Sequence, residues 1–199
     1  MILHPDRSPI LNIEIRSAAA TDRDAMLQLQ IAALKSIGDG YYTLNELAAL
    51  IESKQYFHTM GMYYYGQDRH ITLVATTATE VVGFASLEHQ IITAVFVDPQ
   101  YTRKKIATRL LIRLEQIAIE LAISKLKVTS SLNARSFYTS CGYQSIGRGR
   151  IWLGLNLDRI AIVKMEKRLL PSSPFSWRRY LAKCWHIFVR TVRQIWRSI

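Results

Sequence analysis

The spacing of apolar residues changes once between residues 91 and 121, and that change organises the rest of the chain. Ile91 to Val97 is an almost continuous apolar run, which reads as a strand. Asp98-Pro99 ends it, because proline has no amide to give to a ladder. From Ile106 the apolar positions Ile106, Leu110, Leu114, Ile117 and Leu121 recur every three or four residues, which is helical spacing. Thr102-Arg103-Lys104-Lys105 lies between the two. A strand that turns directly into a helix leaves unpaired amides at the helix start. Those amides, the positive end of the dipole and three cations make a site suited to phosphate or pyrophosphate. The bland alternative is a basic helix start that faces water.

The remaining pattern predicts a mixed α/β order. Ile13 to Arg16 alternates like a short strand. Thr21 or Asp22 can cap a helix running to about Leu34, and Gly38-Asp39-Gly40 breaks it. Thr43 and Glu46 form a capping box for a helix over about 44–53. Residues 54–70 carry Tyr56, Phe57, His58, Tyr63, Tyr64, Tyr65 and His70 and read as a covering loop. Strands follow over 71–76 and 80–88 around Thr77-Ala78-Thr79. After the central strand and helix come a strand over 126–129 and a short helix from Asn133 to Ser140, stopped by Gly142. Strands over 143–146 and 160–165 close the order.

Composition narrows the class. Two cysteines, Cys141 and Cys184, lack metal spacing, which argues against a disulfide framework or a zinc site. No apolar run spans a bilayer, and MILHPDRSPI lacks a signal-peptide core, so the expected setting is cytoplasmic. The net charge of +11 is unevenly placed: residues 1–170 carry +5 and residues 171–199 carry +6 with no acid. This divides the chain into a domain over 1–170 and a basic tail. Ser173 and Pro174 can start a helix there. Trp177, Leu181, Cys184, Phe188, Val192, Ile195 and Ile199 share one face of it, opposite six Arg and Lys residues. Such an amphipathic helix fits the surface of an anionic membrane, a position peripheral to the bilayer. It fits equally well packing on its own domain or on a second subunit as a homodimer contact. Nucleic acid ranks behind both.

Several of these stretches together resemble the GNAT superfamily of N-acetyltransferases. Val97-Asp98-Pro99 followed by Thr102 to Ala107 is similar to that family's V-x-P strand end and its Arg/Gln-x-x-Gly-x-Gly/Ala loop. Only Ala107 fits the loop strictly. Thr102 replaces Arg/Gln and Lys105 replaces the first glycine, a backbone that could still donate its amide if its dihedrals are helical. Ile13-Glu14-Ile15-Arg16 with Asp22 looks like the family's opening, and Val82-Gly83-Phe84-Ala85 like its third strand. The run from Ser131 to Tyr143 is similar to S-L-x-A-x-x-F-Y-x-x-x-G-F/Y, and Val163 to Leu169 resembles the closing strand. The resemblance covers about 13–170.

The resemblance implies a mixed, mostly antiparallel sheet flanked by helices, here with the amphipathic C-terminal helix added. It implies acetyl-CoA as co-substrate, with its pyrophosphate on Arg103, Lys104, Lys105, Ile106, Ala107 and Thr108. The pantetheine arm would lie between splayed fourth and fifth strands, beside Val95, Phe96 and Val97. Amides of Phe96 and Val97 would polarise the thioester carbonyl. Tyr138 stands at the position of the acid that protonates the departing thiolate; as a bare pattern it could equally be a packed aromatic. Ile91 and Val128 occupy positions where many relatives carry a glutamate base, so Glu88 or the adjacent His89 is left for that role. Many relatives have an asparagine where Ser131 stands, which makes Asn133 the candidate for a CoA contact. Three function classes stay open: an active N-acetyltransferase on an amine of unknown identity, a relative that binds acetyl-CoA as a sensor, and a membrane adaptor acting through the tail.

Overall fold

Each strand of the sheet takes its place from which face its apolar residues must bury. The computed structural model describes residues 12–37, 41–59, 70–153 and 158–169. Its strands are β1 (Glu14–Ser17), β2 (His70–Thr76), β3 (Val81–Glu88), β4 (Ile91–Val97), β5 (Lys125–Ser131), β6 (Gln144–Leu153) and β7 (Asp158–Arg168). The helices are α1 (Arg23–Lys35), α2 (Leu44–Thr59), α3 (Ile106–Glu120) and α4 (Arg135–Ser140). The strands form one sheet in the order β1-β2-β3-β4-β5-β7-β6, antiparallel except where β4 meets β5. This is the mixed, mostly antiparallel sheet that the family resemblance implied.

The amphipathic stripe of α3 explains its seat. Ile106, Leu110, Leu111, Leu114 and Ala118 are buried in one core with Ala85, Leu87, Leu126, Val128 and Met165. Gly83 permits this approach. A Cβ there would lie 3.0 Å from Ile106 Cγ2, 3.1 Å from the Phe96 carbonyl oxygen and 3.3 Å from Leu110 Cδ1. The opposite face of the sheet is covered in two patches. Met26 and Leu29 of α1 pack on Val74 and Phe84, while Tyr42, Leu47 and Leu50 gather around Ile160.

The capping box forms as expected: the Thr43 amide donates to Glu46 Oε2 (2.8 Å) and the Glu46 amide to Thr43 Oγ1 (3.2 Å). Asp22 behaves differently. Its carboxylate does not cap α1 but turns back to accept from the Ala19 amide (2.7 Å) and from both Arg16 terminal nitrogens (2.6 and 2.8 Å). That guanidinium holds the Asp22 carboxyl below its ordinary range. A depressed carboxyl pKa adds stability that is present above the unfolded pKa and lost as pH falls through the folded one. Asp22→Asn should therefore lower the melting temperature at neutral pH. The gap to the wild type should close as the pH drops below the ordinary aspartate value, as read by thermal unfolding at a series of pH values.

Several elements run longer than the pattern suggested, among them β5, which spans Lys125–Ser131 rather than 126–129. α2 continues to Thr59 rather than ending near residue 53, so the first part of the expected loop is helical. β6 and β7 extend to Leu153 and Asp158. In β6, the sequence signal is weak because Ser145, Ile146, Gly147, Arg148 and Arg150 are all exposed, so no residue alternation marks a buried face. A register shift between Ser145 and Gly147 also breaks the period. The break at 38–40, most of the aromatic segment (60–69) and the tail helix lie outside the described residues. No helix among the described residues is long and apolar enough to cross a membrane.

Candidate active site

β4 and β5 make only two rungs, Ile91 with Lys127 and Ile92 with Val128. Beyond them each strand follows its other neighbour: β4 stays with β3 as far as Val97, and β5 with β7 as far as Ser131. The break coincides with a register shift in the β3–β4 ladder that leaves Thr93 as the extra residue on β4. Such a bulge bends its strand, and here it opens a gap between two parallel neighbours.

Ladder geometry decides which backbone groups face that gap. In an antiparallel pair, successive residues point their amide and carbonyl alternately at the partner and away. The Asp98 amide donates to the Val82 carbonyl at 3.0 Å, which fixes the phase. Counting back, Phe96 and Ala94 point at β3, and Val95 and Val97 point into the gap. Phe96, expected to aim an amide at the thioester, thus directs it into the β3 ladder. Its ring stacks on Phe84 at 5.5 Å between centroids.

The gap leads to the loop between β4 and α3. Pro99–Tyr101 forms a single 3-10 turn, and the chain then reaches α3 through two left-handed residues, Arg103 (φ 60) and Lys105 (φ 59). Lys105 therefore does not meet the condition of helical dihedrals; it adopts the conformation that favours glycine, at the position where the family motif has one. Non-glycine residues rarely hold such angles, and at functional sites they do so at a cost of about 1–3 kcal/mol each. The first backbone bond of α3 runs from the Arg109 amide to the Lys105 carbonyl at 3.0 Å. The amides of Ile106, Ala107 and Thr108 open the helix ahead of it. Arg103, Lys104 and Lys105 are all exposed, and Lys104 Nζ lies 4.6 Å from the Tyr101 ring centre. Free amides, a helix start and three cations thus share one loop.

Two buried tyrosines on the α3 side have different duties. Their rings meet edge to face at 5.6 Å. Tyr143 donates its hydroxyl to Glu115 Oε1 (3.0 Å), and that carboxylate also takes Lys167 Nζ at 2.7 Å, so this trio ties α3 to β7. The Tyr138 side chain is as deeply buried, but its hydroxyl makes no hydrogen bond among the described residues. Burial pushes its phenol well above the ordinary tyrosine range, so it keeps its proton at neutral pH.

Asn133 lies in the turn between β5 and α4, and its side-chain oxygen is enclosed with no hydrogen-bond partner among the described residues. A buried acceptor without a donor is costly, and an amide-bearing arm in the gap could supply one. Glu88 ends β3 on the other face of the sheet. Its Oε1 is 3.2 Å from His70 Nε2 and 4.0 Å from His89 Nδ1. Glu88 pairs with Ile91 and so stands at the closed end of the gap.

Tyr42 was not singled out by any sequence signal. Its hydroxyl donates to the Ala161 carbonyl (3.2 Å) and accepts from the Leu132 amide (3.0 Å), pinning the end of β5 to β7 just before α4. Burial raises its pKa as well. Its partners lie far away in sequence, and neither periodicity nor capping chemistry could reveal them.

The sheet order, the parted parallel strands and the basic turn into α3 define a class of acyl-transfer domain, and comparison with known proteins names it. The model of the acetyltransferase (GNAT) domain matches residues 42–169, and the chain belongs to that family. It is similar to an uncharacterised N-acetyltransferase of Escherichia coli K12, YafP. The two are 26% identical over 142 residues, which are 70% of this chain and 87% of that protein. A GCN5-related N-acetyltransferase from Rhodopseudomonas palustris shares the structure with a TM-score of 0.67 and 25% identity, over 78% of this chain and 95% of that one. The PaiA N-acetyltransferase of Thermoplasma acidophilum, crystallised with coenzyme A, shares the fold with a TM-score of 0.58 and 18% identity. That match covers 79% of this chain and 99% of the other.

Proposed function

We propose that this chain moves an acetyl group from acetyl-CoA to a primary amine by direct attack, with no acetylated enzyme between. The observation that carries this reading is the parting of β4 and β5 after Ile92 and Val128, which turns the backbone of Val95 and Val97 into an open gap.

Acetyl-CoA supplies a thioester whose carbonyl an amine can attack. The chain's residues would do the rest. Arg103, Lys104 and Lys105 and the amides of Ile106, Ala107 and Thr108 would hold the pyrophosphate. Val95 and Val97 would align the arm, and the Asn133 oxygen would accept one of its amides. A donor from the β4 backbone near the thioester carbonyl would stabilise charge there as the amine adds. Glu88, held by His70, would take the amine's proton directly or through one water. Tyr138 would give its proton to the departing thiolate. The bond formed is nitrogen to carbonyl carbon, and the bond broken is carbon to sulfur.

The loop gives the first test. Arg103→Glu with Lys104→Glu should weaken acetyl-CoA binding measured by calorimetry, and more strongly at low salt, where screening is least. Equal affinity in the double variant and the wild type would remove the site from this loop.

A further inference from the structure

Among the described residues, the sheet face opposite α3 has a strip that α1 and α2 leave uncovered. α1 and α2 cover Val74, Phe84 and Ile160. Beside them, the register sets Glu88, Ile91, Lys127 and Glu166 in a row across β3, β4, β5 and β7, with Thr129 and Lys164 in the next row. Their neighbours Leu87, Ile92, Val128 and Met165 belong to the core under α3, so alternation turns the row itself to the other side. Ile91 is 45% exposed, and Thr129 and Lys164 are exposed too. The strip borders the last rung before the gap, so an acceptor that approaches the thioester from this face must lie on it.

Charge on the strip is sorted along its length. Glu88 stands on the β3 side. On the other side Lys125 Nζ meets Glu166 Oε2 at 3.1 Å, which neutralises that carboxylate. Lys127 and Lys164 then have no acidic partner among the described residues, and Arg168, opposite Lys125, adds another cation one rung outward. β6 leaves space beside Lys164. Among the described residues nothing lies within 4 Å of where a Gly147 Cβ would be, and a Gly149 Cβ would only brush Lys164 Cε at 3.9 Å and meet Ile162 Cδ1 at 3.3 Å.

We propose that the acceptor is an amine that also carries a carboxylate, with Lys127, Lys164 and the Thr129 hydroxyl receiving the carboxylate while the amine faces Glu88. This rests on the transferase reading above and names its substrate class: an amino acid or a close analogue. Strands about 4.8 Å apart place β3 and β5 roughly 10 Å from each other, a span that flexible lysine stems can close around a small zwitterion. A phosphate dianion fits less well, because the Glu88 carboxylate shares the row and would face its second negative charge. Polyamines and aminoglycosides fit worst, since they would bring further ammonium groups against two lysines.

The test uses the full-length protein with acetyl-CoA, following free thiol and acetylated product. The acceptors are free amino acids, their methyl esters, a phosphorylated amine and a polyamine. Losing a charge-assisted contact is worth about 10–100-fold, so kcat/KM should fall by that factor from acid to ester, chiefly through KM. Lys127→Met with Lys164→Met should erase the difference between acid and ester, while Lys35→Met, on α1, should keep it. Equal use of acid and ester by the wild type, or preference for the phosphorylated amine or the polyamine, would overturn this assignment alone. Acetyl-CoA binding with no product from any amine would overturn the transferase reading, and this inference with it.

Discussion

Tyr138→Phe should lower turnover by about 10²–10⁴-fold, the usual worth of a positioned general acid, and leave acetyl-CoA affinity unchanged. The substitution removes one oxygen and keeps the ring. The edge-to-face contacts with Phe137 at 5.1 Å and Tyr143 at 5.6 Å would survive it. The lost hydroxyl has no structural partner among the described residues, so folding gives no reason for it to be there. Tyr143→Phe is the contrasting variant. Its hydroxyl serves the Glu115–Lys167 pair, so stability should fall and the chemical step should change little. Calorimetry with acetyl-CoA, thiol release and thermal unfolding on both variants separate the two roles. A Tyr138→Phe protein that turns over at the wild-type rate would make Tyr138 a packing residue.

Gly83→Val should be the most disruptive single change to the fold. Even a Cβ meets Ile106, Leu110 and the Phe96 carbonyl within 3.3 Å, and the backbone oxygen cannot swing aside. Overpacking of this kind costs about 1–3 kcal/mol, and valine adds two methyl groups beyond that Cβ. For a chain of this size each kcal/mol is worth about 2–4 °C in melting temperature. The effect should reach the site as well, because Ile106 is the first residue of α3 and its amide belongs to the proposed phosphate loop. Acetyl-CoA affinity should therefore fall along with stability. A variant that melts with the wild type would show that α3 does not press on β3 at this point.

Much of this could be read in the sequence because local chemistry decided it. Of the α3 stripe, Ile106, Leu110 and Leu114 are buried and Ile117 partly so as the spacing demands, while Leu121 caps the helix end and is exposed; the Thr43–Glu46 box caps α2. The basic turn after β4 was visible from Asp98-Pro99 and the three cations. What the sequence concealed depends on ladder phase and on distant partners. Whether Phe96 or Val95 faces the gap turns on the Asp98–Val82 bond and on a bulge at Thr93 that no residue type announces. The left-handed angle at Lys105 contradicts the residue's own preference. Tyr42 and the Glu88–His70 contact join positions far apart in the chain, and the Lys127–Lys164 strip exists only once β5 and β7 are paired.

The central claim is that acetyl-CoA gives its acetyl group to an amine at the gap between β4 and β5. Purified protein incubated with acetyl-CoA and a mixture of amines, read by thiol release and by mass spectrometry of the amines, tests it most directly. The account predicts thiol release matched mole for mole by acetylated amine, and both lost together in Tyr138→Phe. Folded protein that binds acetyl-CoA yet yields neither thiol nor acetylated amine would contradict it.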